Sequence, residues 1–445
     1  MSFDASAKQA QLQSLVDTVL NHARKKGASA AEVAANSSHG IAATVRLGEV
    51  ETIENTADNG LGITVYYGQC KGSASTSDLS EGAIDEALTA ACDIAKYAAE
   101  DPCAGLPDEN RLAKEWPDLD LYHPWQIPVE ETISIATACE TAARSYDERI
   151  TNSDGATVNQ DEGVAVYGNS LGFIGGYPSS RQTISCSVLA SENDDMQRDY
   201  WYSTARDASE LESVESIGRR AAERTISRLG ARKLSTRSAP ILFKPEVAAG
   251  LLRNFIGAIS GGSLYRKSSF LLDSLGQQVF PEWINIHEDP LKPGGLASAP
   301  FDSEGVATSA RDIVADGIIQ GYVLSSYSAR RLGMETTGNA GGVRNLTITP
   351  NTETFEEMVA ALDTGLIVTE MMGQGLNMVT GDYSRGAAGF WVENGEILYP
   401  VEEITIAGNM KQMLMDLLAV GNDADYPGSI QTGSWLIREM MIAGE

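Results

Sequence analysis

The stretch Ile241-Leu-Phe-Lys-Pro-Glu-Val-Ala-Ala-Gly250 decides how the second half of this 445-residue chain is organised. Its apolar start predicts a buried strand, and Pro245-Glu246 predicts the first turn of a helix. Proline suits that turn because its missing N–H would have no intrahelical partner, and the glutamate lies at the positive end of the helix dipole. Apolar residues then recur at helical spacing, at Val247, Leu251, Phe255 and Ile259.

A glutamate in this strand-to-helix setting, with histidines beside it, is where a metallopeptidase would hold zinc. Here Glu246 has no histidine beside it. The chain has only four histidines, and no two of them are spaced to share a helix face. The sequence therefore predicts no transition-metal site in this chain.

Length and charge limit the classes of protein that need to be considered. A chain of this length predicts two or three domains. Its formal net charge of −28 argues against nucleic acid or an anionic membrane as a partner, because phosphate binding needs a basic surface. No secretory signal is visible, and no stretch approaches the roughly 20 apolar residues that span a bilayer. We therefore expect a cytoplasmic protein.

The cysteines also indicate a cytoplasmic protein. Their number is odd, and no two form a C-x-x-C pair, which favours reduced, mostly buried thiols over a disulfide framework. They are Cys70, Cys92, Cys103, Cys139 and Cys186.

The first half of the chain predicts an α+β region in which helices bracket antiparallel strands. It covers residues 1–232, with 1–115 and 120–232 as two related units and 100–127 as a linker rich in Asp and Pro. The predicted helices are 6–26, 81–99, 129–146 and 209–229, the last with a capping box at Ser209–Glu212. The predicted strands are 32–36, 41–47, 51–55, 62–67, 149–158, 162–167, 172–175 and 182–191.

The second half, residues 236–445, follows the polar boundary segment 231–240 and predicts a β-rich domain. A mixed sheet, an antiparallel sheet and a barrel are all compatible with it. Asp316-Gly317 and Asn394-Gly395 predict two hairpin turns. Beyond the helix that starts at Pro245, helices are predicted only at 354–363 and 409–420, and further strands at 345–349, 366–370, 376–380, 386–392 and 396–399.

Four short motifs could suggest chemistry, but each is better explained structurally. Gly168–Gly172 matches the G-x-S-x-G nucleophile elbow, yet the Gly- and Pro-rich residues after it predict a turn between strands and not the required helix. His287–Pro290 predicts a solvated turn. The glycines of Thr337–Gly342 lack the spacing of a phosphate or dinucleotide loop. Gly373–Asp382 predicts the entry to a strand, which could offer an edge to a bound peptide.

Longer stretches resemble the TldD/PmbA family of bacterial cytoplasmic peptidase proteins, specifically its PmbA branch, which is also called TldE. The resemblance covers essentially the whole chain and implies an N-terminal α+β region with a β-rich C-terminal domain. The stretches that carry it are Asn169–Ser179, Tyr265–Val279, Gly375–Gly395 and Ile404–Met410.

The resemblance also implies a specific comparison at the start of the predicted helix. In the TldD branch this helix carries an H-E-x-x-x-H zinc motif, and a cysteine near the C-terminus is the third ligand. On this chain the motif falls on Pro245, Glu246 and Gly250, and no cysteine follows Cys186. We therefore assign no catalytic, cofactor-binding or metal residue to the chain.

What the resemblance implies is a metal-free subunit, not catalytic alone, that pairs with a TldD-type subunit carrying zinc. Such a pair would be a cytoplasmic metallopeptidase acting on unfolded or short peptides, in microcin precursor maturation and antitoxin degradation. Two alternatives stay open. One is a self-contained scaffold or peptide-binding protein that forms a homodimer, and the other is a hydrolase with an unrecognised nucleophile, for which Ser170 is the candidate.

Overall fold

The computed structural model describes residues 3–350, 354–424 and 427–444. The first half of the chain forms one antiparallel six-stranded sheet in the order β3-β2-β1-β4-β5-β6. Its strands are β1 (Ala30–Arg46), β2 (Glu49–Tyr67), β3 (Cys70–Thr76), β4 (Ile150–Asn169), β5 (Ile174–Glu192) and β6 (Asp195–Ala205). The helices are α1 (Ala5–Lys25), α2 (Glu81–Tyr97), α3 (Val129–Arg144) and α4 (Val214–Ser227).

All four helices cover the same face of this sheet. In β4, Val164 and Val166 pack with α1 and α2, whereas Ala156 and Val158 pack with α3 and α4. These four positions differ by even numbers of residues, so their side chains point to one face of the strand. Each predicted N-terminal unit thus contributes a pair of helices, and β1 and β4 join the two units into one continuous sheet.

Four pairs of neighbouring predicted strands each fall on one long strand, so the predicted breaks were wrong. The segments predicted at 32–36 and 41–47 fall on β1, those at 51–55 and 62–67 on β2, those at 149–158 and 162–167 on β4, and those at 172–175 and 182–191 on β5. The glycine in the first gap permits close packing, since a Cβ atom at Gly40 would lie 2.6 Å from the Asp161 Oδ1 atom. A glycine inside a strand can mark such a close approach and need not mark a turn.

The first part of β2 forms a free edge of the sheet. Residues 49–59 pair with β1, while β3 pairs only with Leu61–Tyr67. Within the described part of the chain, no strand lies on the other side of residues 49–59. Val50 and Ile53 are 45% and 50% exposed there. Native proteins usually blunt such an edge with charges, and this one carries Glu49, Glu51, Glu54 and Asp58.

The second half of the chain forms two further sheets. Their strands are β7 (Arg237–Phe243), β8 (Ile286–Glu288), β9 (Arg311–Ala315), β10 (Ile318–Ile319), β11 (Leu346–Ile348), β12 (Gly365–Met372), β13 (Asp382–Glu393), β14 (Glu396–Asn409), β15 (Leu417–Val420), β16 (Ile430–Gln431) and β17 (Trp435–Ala443). The helices are α5 (Pro245–Ala258), α6 (Gly261–Tyr265), α7 (Ser326–Leu332), α8 (Phe355–Leu362) and α9 (Met410–Met415).

Five of these strands close into a barrel. They follow the order β14-β13-β12-β7-β17, and β17 pairs back with β14 through Ile442 opposite Ile406. β7 is parallel to β12 and antiparallel to β17, so the barrel is mixed. Ile241 and Phe243 of β7 belong to the largest core, whereas Leu242 packs with α8 on the other face. The β-rich, barrel-like C-terminal half predicted from the sequence is confirmed.

The second sheet of this half has the order β10-β9-β8-β11-β16. The predicted hairpin turns at Asp316-Gly317 and Asn394-Gly395 are confirmed, and all four residues have positive φ. An aromatic cluster joins this half to the N-terminal sheet, where Trp116 of the linker and Phe301 contact Phe173. No helix among the described residues is long and apolar enough to cross a membrane.

Three predicted elements differ from the structure. The helix predicted at 209–229 begins at Val214, because Ser213 and not Ser209 caps it with a side-chain oxygen. The helix predicted at 409–420 ends at Met415, and β15 follows it. The strand predicted at 376–380 is a turn, in which the Asn377 side-chain oxygen accepts hydrogen bonds from the next amides. All five cysteines are free thiols, as predicted.

Candidate functional site

The degenerate zinc-motif positions lie where β7 leaves the barrel. The helix begins at Pro245, as the sequence predicts, and Glu246 lies in its first turn. Gly250 lies one turn further along, and a Cβ atom added there would meet no atom within 4 Å. Position 250 therefore faces open space, and a side chain could fit there.

Glu246 is held by a guanidinium group. The Arg224 Nη1 atom lies 2.7 Å from the Glu246 Oε1 atom, and Arg224 Nε lies 3.4 Å from Asp199 Oδ1. Burial alone would lower the pKa of Arg224, but the Asp199 and Glu246 carboxylates outweigh it and raise that pKa. Charge-assisted pairs of this kind are among the stronger hydrogen bonds in proteins. The glutamate of the degenerate motif thus connects α5 to α4.

A second arginine extends this network. Arg228 lies at the C-terminal end of α4, with its Nη1 atom 3.6 Å from Asp199 Oδ2 and 2.5 Å from Glu370 Oε2. Asp199 belongs to β6 and Glu370 to β12. The two arginines therefore connect the N-terminal half to α5 and β12 through Glu246 and Glu370, while Asp199 pairs with both of them within the N-terminal half.

These groups line a cavity of about 560 Å³ between β6, α4, α5, β12 and β13. Its volume falls within the range of about 300–1,000 Å³ that is typical of small-ligand sites. Four arginines and three carboxylates line it, in a chain whose net charge is −28. They are Arg198, Arg224, Arg228 and Arg385, with Asp199, Glu246 and Glu370.

The residues of this cavity do not fit a zinc ion. A catalytic zinc site needs about three protein ligands and an open position. Pro245 and Gly250 offer no ligand, Glu246 is paired with Arg224, and the guanidinium groups would repel a divalent cation. Within residues 3–350, 354–424 and 427–444, no group of three His, Cys, Asp or Glu side chains could hold a metal ion. Whether the purified chain is metal-free stays a prediction.

A larger cavity of about 890 Å³ lies between the N-terminal sheet and the C-terminal half. One of its three lining carboxylates is Glu32, which accepts hydrogen bonds from the hydroxyls of Tyr66 and Tyr167 at 2.8 and 2.9 Å. Burial, with the Glu32 charge next, raises the pKa of both tyrosines, so both hydroxyls stay protonated donors. This carboxylate is thus satisfied by its neighbours, and the cavity at Glu246 is the better candidate site.

Ser170, the candidate nucleophile of the hydrolase alternative, has a structural role. Its hydroxyl accepts a hydrogen bond from the Ala31 amide at 3.0 Å, and its own amide donates to the Ala31 carbonyl at 2.8 Å. β4 ends at Asn169 and β5 starts at Ile174, so a strand–turn–strand connection replaces the strand–helix connection of a nucleophile elbow. The predicted turn between strands is confirmed.

The motif His287–Pro290 was wrongly predicted as a solvated turn, since its first part belongs to β8. His287 is exposed and pairs with Asp312 at 2.8 Å. Glu288 is only 1% exposed, and it accepts hydrogen bonds from Arg311, Asn339 and the Arg344 amide at 2.7–2.9 Å. Buried carboxylates persist where they are paired in this way.

The two glycine-rich motifs serve backbone geometry. In Thr337–Gly342, Gly338, Gly341 and Gly342 have positive φ, and a Cβ atom at Gly338 would lie 2.8 Å from a carbonyl oxygen. In Gly373–Asp382, a Cβ atom at Gly375 would lie 1.6 Å from the Ser384 carbonyl oxygen, so the loop crosses β13 closely.

Sequence reasoning missed the arginines of the cavity. Arg224 and Arg228 are four residues apart and lie on one side of α4, which is a signal that the sequence contains. Arg385 lies inside the family-like stretch Gly375–Gly395, where the sequence analysis assigned no individual role.

Comparisons with known proteins agree with this architecture. Models of the PmbA/TldA metallopeptidase family match domain 1 at residues 31–95, the central domain at 122–229 and the C-terminal domain at 236–444. Metalloprotease PmbA of Escherichia coli O157:H7 is 52% identical over 439 residues, which cover 99% of this chain and 97% of that protein.

Solved structures show the same fold. A candidate modulator of DNA gyrase from Bacteroides thetaiotaomicron has 27% identity and a TM-score of 0.92, and the match covers 97% of this chain and 99% of that one. TldE from Thermococcus kodakarensis has 21% identity and a TM-score of 0.83, with 97% and 100% covered. The family models and the full-length identity together show that this chain belongs to the PmbA/TldD metallopeptidase family.

Proposed function

We propose that this chain is the metal-free subunit of a cytoplasmic two-subunit metallopeptidase, in which a TldD-type partner holds the zinc ion. The observation that carries the proposal is the 2.7 Å contact between Glu246 and Arg224. A glutamate that acts as a general base must be free to take a proton from a metal-bound water. Glu246 instead neutralises a half-buried guanidinium, and Pro245 and Gly250 provide no ligands.

The proposed substrates are unfolded or short peptides, among them a microcin precursor and an antitoxin. The cavity at Glu246, at about 560 Å³, is large enough for a few residues of an extended chain but not for a folded domain. A metal-free subunit of this shape would complete a closed chamber around the zinc site of its partner. Such a chamber would admit unstructured chains and exclude folded ones.

The test compares three purified samples: this chain, a TldD-type partner, and the two co-expressed. Zinc content, cleavage of an unstructured peptide and oligomeric state are measured for each. We expect zinc in the partner and in the pair, chelator-sensitive cleavage that is fastest in the pair, and neither zinc nor cleavage in this chain alone. Cleavage by the partner alone as fast as by the pair would contradict the proposal.

A variant of this chain provides a matched control. Glu246→Gln should leave the cleavage rate of the pair within about twofold, because this carboxylate takes no proton from a zinc-bound water. Comparison of the melting temperatures separates a folding defect from a chemical one. A loss of cleavage by a factor of about 100 in a folded Glu246→Gln pair would place this glutamate in the catalytic machinery after all.

A further inference from the structure

Arg385 is the cation of the Glu246 cavity that has no anionic partner in the part of the chain that the structure describes. Its Nη2 atom donates to the Met371 carbonyl at 3.4 Å, near the outer limit for a hydrogen bond. Its Nε atom is buried without a hydrogen-bond partner. Among the described residues, the Arg385 guanidinium forms no ion pair. A guanidinium group has five N–H donors. The Tyr383 hydroxyl is also hydrogen-bonded to Arg385, and the remaining Nη donors are available to a ligand.

The other charges of the cavity are paired with one another. Arg224 and Arg228 contact the three lining carboxylates, so these carboxylates form their ion pairs without Arg385. Arg198 also lines the cavity, and it pairs at 2.7 Å with Asp154, which does not. The four lining arginines outnumber the three lining carboxylates by one, and Asp154 balances that excess from outside the lining. Among the described residues, Arg385 is therefore the lining guanidinium that has no ion pair.

A second donor lies beside Arg385. Tyr383 is two residues away on the same strand, is only 2% exposed and also lines the cavity. Burial raises the pKa of its hydroxyl to about 12, against the opposing effect of Arg385. The hydroxyl thus remains protonated at neutral pH. A planar guanidinium next to a hydroxyl donor suits a carboxylate, which accepts two parallel hydrogen bonds from arginine.

We infer that Arg385 forms a subsite for the C-terminal carboxylate of a peptide, which enters the cavity between α4, α5 and β13. The inference rests on the proposed function, which supplies the peptide, and it goes further by naming which end of the chain this subunit recognises. Arg385 positions the peptide by its end and takes no part in bond cleavage.

The test is a binding measurement on the full chain without its partner. The probe is a fluorescein-labelled, ten-residue peptide of Gly, Ser and Ala, prepared with a free C-terminal carboxylate and as the C-terminal amide. Fluorescence anisotropy gives both dissociation constants. We expect the free acid to bind at least about tenfold more tightly than the amide, as a charge-assisted hydrogen bond would require.

Variants identify the residue responsible. Arg385→Gln should reduce the preference for the acid to less than about twofold, chiefly by weakening the binding of the free acid, and Arg385→Lys should retain part of the preference. Arg438→Gln is the matched control, because Arg438 is exposed on β17 and does not line the cavity. It should retain the full preference. Melting temperatures confirm that each variant is folded.

Several outcomes would overturn the inference. They are equal binding of acid and amide, no binding of the free acid, a full preference retained by Arg385→Gln, or an amidated peptide with an internal glutamate binding as tightly as the free acid. None of them bears on the cleavage assay of the pair. A failure of this inference is therefore distinguishable from a failure of the proposed function.

Discussion

Replacing Gly250 by alanine should stabilise the protein. Glycine in a helix interior is less favourable than alanine by about 1 kcal/mol. Gly250 lies inside α5, and a Cβ atom there meets nothing within 4 Å. The full propensity gain should therefore appear. A gain of about 1 kcal/mol raises the melting temperature of a domain of about 200 residues by roughly 2–4 °C.

The matched control is Gly218→Ala in α4. A Cβ atom at Gly218 would lie 2.3 Å from the Cys139 carbonyl oxygen and 2.9 Å from the Ala143 amide nitrogen of α3. The two helices must separate to accept it, and overpacking of this kind costs about 1–3 kcal/mol. Both variants replace a helical glycine, so the propensity effect is common to them and only the surroundings differ.

Differential scanning calorimetry of the full chain measures both variants against the unmodified protein. We expect a higher melting temperature for Gly250→Ala and a lower one for Gly218→Ala. A lower melting temperature for Gly250→Ala would mean that the space beside residue 250 is filled in the folded protein. The reasoning that this face of α5 borders an open cavity would then be wrong.

Three further changes probe other parts of the molecule. Arg224→Met should lower the free energy of unfolding by about 2–4 kcal/mol, because it leaves the half-buried Glu246 carboxylate without its partner. In chemical denaturation the Arg224→Met/Glu246→Gln double variant should recover part of that loss, and an additive loss would contradict the pairing. Burial raises the pKa of Asp302 from 3.8 to about 6, so the protonated form is favoured in the folded state. The contribution of Asp302 to stability is fully present below about pH 4, and roughly 3 kcal/mol of it is lost as the pH rises through 6. The difference in unfolding free energy between the unmodified chain and Asp302→Asn should therefore change with pH between 4 and 7. A difference that stays constant over this range would refute the raised pKa of Asp302. Ser170→Ala should lower the free energy of unfolding by about 1 kcal/mol, because it removes the hydrogen bond with the Ala31 amide, and it should not slow cleavage by the pair. A slower cleavage rate in the folded variant would favour the hydrolase alternative.

Local signals predicted much of the fold because the physics that sets them is local. Pro245 fixes the start of α5, Asn394-Gly395 supplies the positive φ values of a hairpin, and Thr354 caps α8 with Glu357. The same local reasoning failed at Gly40, which was taken as a break between strands. A glycine has the same sequence signature whether it turns the chain or allows a close neighbour.

The candidate site was only half visible in the sequence for a related reason. The loss of the histidines at 245 and 250 can be seen by inspection, given the family pattern. The ion pairs of Glu246 with Arg224, and of Glu370 with Arg228, join α4 and its C-terminal end to α5 and to β12. Neither residue spacing nor composition specifies such contacts, because they depend on how the barrel packs against β6 and α4.

The free edge of β2 has a consequence for amide hydrogen exchange. In an antiparallel pair successive amides point alternately towards and away from the neighbouring strand. Along residues 49–59 the amides directed at β1 are protected, while those directed outwards have no partner strand in the described chain. Exchange along this segment should therefore alternate between slow and fast with a period of two residues. A chain that pairs with this edge would abolish the alternation, so residue-resolved exchange by NMR would reveal that contact without any knowledge of the partner's structure.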